Sequence, residues 1–401
     1  VILAHRIALD PTVQQRVALS RACGVARFAW NWALAAWNKA YETGEKTSTN
    51  RFKVEWNKVK RGRFPWVYES PKDANQQPFA NLNTAFQRFF KKQGGRPTFK
   101  KKGQHDSFYV SNNTLTVRDG SVRLPVIGNI KTTENLRFAG KVLSGTVSCE
   151  AGRWFISILV EGDFKRRRTT AKIVGVDLGL KTALMLSDGK TFEAPKPLKA
   201  GLKKLQRLSR QHSRKQKGSQ NRKKSQHRLA RHHVRIKNIR RDWTHKVTTS
   251  VCRENQTIVL EDLNVKGMTA NHCLARAIND VGFREIRRQF EYKAPMYGSK
   301  VVVINRWLPT SRTCSNCGCK KDVLLLSERV FHCDHCGFEI DRDLNAAINI
   351  RTAGLAGNHA CGPEGSGSHT PTSMRTKPHR VEAGTIPGTL SGALKIDGRA
   401  A

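Results

Sequence analysis

Three acidic positions stand where apolar segments of the chain run out. Asp177 closes Ile173-Val-Gly-Val, Glu261 closes Thr257-Ile-Val-Leu, and Asp341 or Asp343 opens the helical run Leu344-Asn-Ala-Ala-Ile. Acids delivered from separate elements of one sheet can converge on two divalent cations, the arrangement that supports in-line attack of water on a phosphodiester. Mg²⁺ suits such a set, because it takes oxygen ligands and keeps several waters. Each acid has an ordinary alternative role, since Asp at a strand end or helix start also serves as a turn former or cap. A second chemistry lies close by. Cys314/Cys317 and Cys333/Cys336 form two Cys-x-x-Cys pairs, each followed by glycine, with a loop of zinc-ribbon length between them. Four thiolates leave no open coordination position, so one Zn²⁺ there is structural. Cys319, two residues past the first pair, reads as a bystander.

The elements that position these groups must be drawn from a very basic chain. Its 401 residues hold 72 Lys+Arg against 31 Asp+Glu, a formal net charge of +41 and a pI of about 10.5. An excess of that size calls for a polyanionic partner held through phosphates. No apolar run approaches the roughly 18 residues of a membrane span, which places nucleic acid ahead of lipid. Ten cysteines without a secretory signal fit a reducing cytoplasm, with nucleoid association when DNA is bound.

Along the chain the hydrophobic period changes several times. Residues 2–8 alternate as a short strand. From 11 to 94 the apolar residues recur at helical spacing in three segments, with Phe79, Leu82, Phe86 and Phe89 on one face as core rather than base-stacking surface. Residues 91–102 read as a basic, glycine-rich hinge suited to nucleic-acid contact. From 107 to 162 the period is two, and short strands between Asn, Asp and Gly turns suggest a small β-barrel that the N-terminal strand completes. A linker at 166–170 precedes a different domain. That domain opens with the Asp177 strand and a two-turn meander, then a cationic helical hairpin at about 201–250. The Glu261 strand follows, then an amphipathic helix through Val281, Phe283, Ile286 and Phe290, a strand at 300–304, and the ribbon. The hairpin's near lack of acids makes self-repulsion costly unless phosphates neutralise it. Beyond 354 periodicity is lost, and a disordered tail is expected.

The order Gly175-Val-Asp177-Leu-Gly, Val259-Leu-Glu261-Asp-Leu, the two Cys-x-x-Cys-Gly knuckles and Asp341-Arg-Asp343-Leu-Asn345-Ala-Ala resembles the TnpB (OrfB) proteins of bacterial transposons, relatives of the type V CRISPR effectors. The resemblance spans about 1–351. It implies a multidomain α/β protein: a RuvC-like, RNase H fold nuclease (169–307 and 339–353) with a zinc-ribbon insertion (308–338). A wedge β-barrel (1–10 and 95–168) would contain a helical recognition insertion (11–94). It implies RNA-guided double-stranded DNA cleavage beside a short target-adjacent motif, with guide RNA and duplex DNA as partners and one protein chain per RNA. The resemblance assigns Asp177, Glu261 and Asp343 as catalytic Mg²⁺ ligands in preference to Asp341, with Asp262 a neighbour. Lys72, Gln76, Ser111 and Asn112 fall where the family contacts the duplex, and ordinary surface roles remain open for them. Arg96, Lys100, Lys101, Arg222, Lys223 and Lys224 are the expected RNA contacts on the basic segments. A guided DNA-binding repressor and a strand-transferring transposase are the competing readings, the first requiring loss of an acid that is present here.

Overall fold

The computed structural model describes residues 1–162, 171–325 and 327–357. The expected linker at 166–170 and the tail from 358 onward lie outside the described residues. The chain divides into two compact units, whose described parts are 1–162 and 171–357.

In the first unit, β1 (Ile2–Asp10) leads into α1 (Val13–Glu42), α2 (Thr49–Arg63), a 3₁₀ turn (Pro65–Glu69) and α3 (Lys72–Phe90). Helix α1 starts at a reciprocal cap in which Thr12 accepts from the Gln15 amide and the Gln15 side chain accepts from the Thr12 amide. The helical aromatics are core, as the period indicated: Trp37 stacks on Phe86 at 3.9 Å, and Trp56 and Phe79 are fully buried. Six strands follow: β2 (Ser107–Ser111), β3 (Thr116–Arg118), β4 (Ser121–Leu124), β5 (Gly128–Thr132), β6 (Lys141–Glu150) and β7 (Arg153–Glu161). They form one antiparallel sheet in the order β2-β6-β7-β1-β5-β4-β3. The expected barrel is thus seen as a seven-stranded sheet edged by β2 and β3, with the N-terminal strand at its centre. Strand β5 escaped the sequence reading because Gly-Asn-Ile-Lys-Thr carries one apolar side chain, Ile130, too few to show alternation.

The basic segment 91–102 is anchored in its second half, contrary to the flexible hinge expected. Trp30 Nε1 donates to the Thr98 carbonyl at 3.0 Å, and Asn31 brackets Lys100 by donating to its carbonyl at 3.0 Å and accepting from its amide at 2.8 Å. Polar side chains on α1 satisfy the backbone of a segment that has no ladder of its own.

The second unit is built on the sheet β10-β9-β8-β11-β12: β8 (Ile173–Asp177), β9 (Leu184–Leu186), β10 (Thr191–Phe192), β11 (Thr257–Glu261) and β12 (Lys300–Ile304). Strands β8, β11 and β12 are mutually parallel, while β9 runs antiparallel to β8. The connections carry α4 (Pro197–Ser213) and α5 (Gln220–Glu254), then α6 (Val265–Ala270), α7 (His272–Val281) and α8 (Phe283–Tyr297). The single amphipathic helix expected here is two, because Gly282 takes φ +82° and ends α7 before α8 begins. Along α5, Ile236 and Val247 are buried whereas Ile239 is exposed.

Side chains on a strand alternate between faces, and this sheet uses both. Val174 and Val176 of β8 and Ile258 and Leu260 of β11 share a core with Val247, Val251, Phe283 and Phe290 from the α5 and α8 side. The residues of opposite parity, Gly175 and Val259, face α9 (Arg342–Leu355). Gly175 is required by closeness: a Cβ there would collide with the Ala347 carbonyl oxygen of α9. At Gly354 a Cβ would stand 2.5 Å from Val259 Cγ1. Helix α9 therefore runs through Leu355 and docks its last turn on the sheet, so a tail beginning at 354 starts too early.

Candidate active site and metal centre

Parity and register together gather the acids. Asp177 and Glu261 share parity with Gly175 and Val259, so both lie on the α9 face. The parallel pairing of Val176 with Leu260 makes the two acids next neighbours at the carboxyl ends of adjacent strands. Asp343 sits in the first turn of α9. Burial first, and then the charges of Asp343 and Glu261, together raise the Asp177 carboxyl from 3.8 to about 7. Glu261 is also raised, by burial first and by Asp262 second. Buried Asp177 therefore feels carboxylates from two elements far from it in sequence, β11 and α9.

The neighbouring acids have other partners. Asp341 is the N-cap of α9, its Oδ1 accepting from the amides of Asp343 at 2.9 Å and Leu344 at 3.0 Å. Asp262 accepts from the guanidinium groups of Arg287 and Arg306, and those bonds hold its carboxyl below the usual range. Asp343 accepts from Arg342 at 3.3 Å, and it and Glu261 are the acids whose charges act on Asp177.

The four expected thiols converge independently. Cys314 Sγ lies 3.8 Å from Cys336 Sγ, and Cys317 Sγ lies 3.6 Å from Cys333 Sγ. All four ligand atoms are within 4.8 Å of one another. Four sulfurs at about 2.3 Å from a tetrahedral zinc would be about 3.8 Å apart, so the thiols fit Zn²⁺. The knuckles repeat one design. The Gly318 amide bonds the Cys314 carbonyl at 3.0 Å, the Gly337 amide bonds the Cys333 carbonyl at 2.9 Å, and both glycines have positive φ. Backbone amides of Cys336 and His335, with the thiols of Cys317 and Cys336, lower the Cys333 thiol. Cys319 is less of a bystander than its position suggested, lying in reach of a ligand atom of Cys317 and of His335. Among the described residues the cysteines are free thiols.

The ribbon and the acid helix are joined more closely than their sequence boundary implied. Strand β13 (Val330–His332) pairs with β14 (Glu339–Asp341), so the ribbon hairpin ends on the α9 cap. Asn345, fully buried, accepts from the Ser315 amide at 2.9 Å and donates to the Thr313 carbonyl at 2.8 Å. Asn349, one turn further, donates to the carbonyls of Thr310 at 2.8 Å and Thr313 at 2.6 Å. These two asparagines fasten the first knuckle to the helix that carries Asp343. The sequence reading quoted Asn345 within the motif around Asp343 but gave neither asparagine a role; their spacing of four, on the face that also carries Asp341, was the available signal.

The expected nucleic-acid contacts fall in both units. In the first, Ser111 donates its amide and hydroxyl to Asp73, each at 2.8 Å, which brings the end of β2 to the first turn of α3 beside exposed Lys72. Gln76 donates to Asn57 at 2.9 Å and to Asn75 at 3.1 Å, and Asn112 is exposed in the following turn. Arg96 reaches Asn38 at 3.3 Å, Lys100 lies 4.1 Å from the Trp30 ring centre, and Lys101 is exposed. In the second unit, Arg222 closes the α4–α5 turn by donating to the carbonyls of His212 and Lys215, a structural role, while Lys223 and Lys224 face solvent. No helix among the described residues is long and apolar enough to cross a membrane.

The chain has relatives in sequence and in fold. The OrfB family, described as "Probable transposase", matches residues 155–272; a "Cas12f1-like, TNB domain" matches 283–350 and a "Helix-turn-helix domain" matches 1–46. The last covers β1 and the single long helix α1 here. A protein of Streptomyces pristinaespiralis named "Putative RNA-guided DNA endonuclease" is 37% identical over 395 residues, covering 95% of this chain and 97% of its own. The Escherichia coli K12 protein "Putative RNA-guided DNA endonuclease InsQ" is 36% identical over 374 residues, covering 88% and 92%. In fold, the chain is similar to the protein in a cryo-EM structure of a Cas12f1-sgRNA-target DNA complex, with a TM-score of 0.55 at 14% identity over 84% of this chain and 83% of that one. The chain belongs to the OrfB (TnpB) family.

Proposed function

We infer that this chain is an RNA-guided endonuclease that cuts double-stranded DNA beside a short target-adjacent motif, with Asp177, Glu261 and Asp343 as its catalytic acids. The observation that carries this reading is the shared electrostatic space of those three carboxylates. Burial and mutual repulsion keep the Asp177 proton bound up to about pH 7, a tension that divalent cations in the same space would relieve. The all-oxygen donor set fits Mg²⁺, which when bound supplies activation of water and stabilisation of the leaving 3′ oxygen. The chain's own part is placement: strand register fixes Asp177 against Glu261, and the Asp341 cap fixes the helix turn that presents Asp343.

The five-stranded mixed sheet with α9 across it supports assigning the second unit as the RuvC-like, RNase H fold nuclease, with a structural Zn²⁺ in its ribbon. The first unit is assigned as wedge and recognition module, reading the flanking motif through Lys72, Gln76, Ser111 and Asn112. The charge of +41 supports a guide RNA held along the basic segments that include Arg96, Lys100, Lys101, Lys223 and Lys224, with one chain per RNA. The test is Mg²⁺-dependent cleavage of a plasmid matching the 3′ segment of the co-purified RNA, with a randomised flank, by wild type and Asp343→Ala. Cutting that needs both the match and Asp343 is expected. Guided binding without cutting by either protein would replace the nuclease with a repressor.

A further inference from the structure

The most exposed large hydrophobic side chain among the described residues is Trp307, at 84% of its accessible surface. It is not loosely placed. Asn305 fixes the turn that carries it, the Asn305 side chain accepting from the Trp307 amide at 3.0 Å and the Asn305 carbonyl from the Leu308 amide at 3.2 Å. On one side Arg306 is tied to Asp262. On the other, Leu308 packs against the core of Val259, Val302, Ile304 and Ile350. With both neighbours anchored, the indole is held out in water on a set backbone, an arrangement that costs little further ordering when something covers it.

Its position is specific. The turn follows directly from β12, whose last residue, Ile304, pairs with Glu261. Trp307 and Arg306 line a groove of about 250 Å³ together with Glu261, Asp262, Leu263 and Asn264. An apolar ring at the rim of a groove that ends on a carboxylate of the acid site, with Arg287 and Arg306 holding Asp262 neutralised beside it, matches a ligand that carries both a flat aromatic face and negative charge. A nucleotide of an unpaired strand has both, and its base face is free only when the duplex is open.

We propose that Trp307 is a stacking platform for a nucleobase of the single DNA strand entering the acid site, setting that strand's register against Glu261. The proposal rests on the nuclease reading above. Because every base has a π-face, the platform is indifferent to sequence and acts after guided recognition. Its loss therefore lowers the cutting rate without altering which targets are bound.

The test uses the full chain with its RNA. Wild type, Trp307→Ala and Trp307→Phe are compared for guided binding, cutting rate and melting temperature. In parallel, 2-aminopurine is moved along the strand to be cut, in complexes also carrying Asp343→Ala so that the strand stays intact. Expected are a roughly five- to hundredfold slower cut for Ala, substantial rescue by Phe, unchanged guided binding, and one 2-aminopurine position quenched with Trp307 and restored with Ala. Wild-type rate and unchanged fluorescence in the Ala variant would overturn the proposal. So would a defect that Phe shares together with a lowered melting temperature, since that pattern describes a folding role. Because the fluorescence reads stacking without cutting, an inactive wild type that still shows Trp307-dependent quenching would sink the nuclease reading alone.

Discussion

The thiol cluster and the acid cluster both gather side chains of types that can ligate a metal in the second unit, but they are assembled in different ways. The four thiols come from one segment, Cys314 to Cys336, and two glycine knuckles bring all of them within 4.8 Å. The three acids come from Asp177, Glu261 and Asp343, and no local turn unites them. They depend on strand register, on side-chain parity, and on a helix seated closely enough to need Gly175 and Gly354. A site closed by short turns is insensitive to the rest of the fold; a site closed by register and helix docking inherits every error in packing. The bonds from Asn345 and Asn349 to the first knuckle then make the dependence one-sided, since the local centre steadies the non-local one.

The largest expected break is at the acids themselves. Asp177→Ala or Glu261→Ala should reduce guided cutting on the order of a thousandfold or more with guided binding and zinc content retained, as read by cleavage kinetics and metal analysis. Cys333→Ser tests the one-sidedness. Zinc stoichiometry should fall and cutting should drop about ten- to a hundredfold, the scale at which supports of a reactive site act. Cutting at the wild-type rate by zinc-free protein would show that the two centres are independent.

Gly175→Ala probes the other direction. The new Cβ meets the Ala347 carbonyl, so the helix must shift, at a cost of about 1–3 kcal/mol, seen as a lower midpoint in urea and as slower cutting. Zinc should stay bound. Asn345→Ala should cost a similar or smaller amount, about 1–3 kcal/mol, because it leaves the Ser315 amide without its partner and the Thr313 carbonyl with Asn349 alone.

The smallest effect is one of pH. The folded Asp177 carboxyl holds its proton to about pH 7 against an ordinary value of 3.8. The stability gained from that proton is fully present below about pH 4 and is lost as pH rises through about 7. Zinc-loaded protein in Mg²⁺-free buffer should therefore melt lower at pH 8 than at pH 5, and Asp177→Asn should narrow the gap. Added Mg²⁺ should raise the wild-type melting temperature at pH 8 and change the Asn variant less.

Much of this was legible in the chain itself. The cysteine spacing, the helical aromatics of α1 to α3, the strands ending on Asp177 and Glu261 and the basic hairpin all follow from local period and residue type, and each appears in the structure. Features that failed to show were those whose signal is not local. Strand β5 has one apolar residue and exists because β1 and β4 pair with it. Gly282 divides a continuous apolar pattern because its φ is positive, which periodicity does not report. Arg222, expected as an RNA contact, also donates to two carbonyls of its own turn, which spacing does not report.

Residue types and short spacings determined which groups could carry chemistry: four soft sulfurs in two turns, and hard oxygens at the ends of apolar runs. Which oxygens share a space was decided only by the fold. Asp341 and Asp343 are two residues apart and chemically identical, yet the cap geometry commits Asp341 to the amides of Asp343 and Leu344. Glu261 and Asp262 are adjacent, yet strand parity sends one toward α9, while two arginines from α8 and the β12 turn hold the other. Neighbours in sequence point to opposite faces of a strand, and partners for a charge arrive from distant elements. For that reason composition and spacing could name the candidates, while register and packing chose among them.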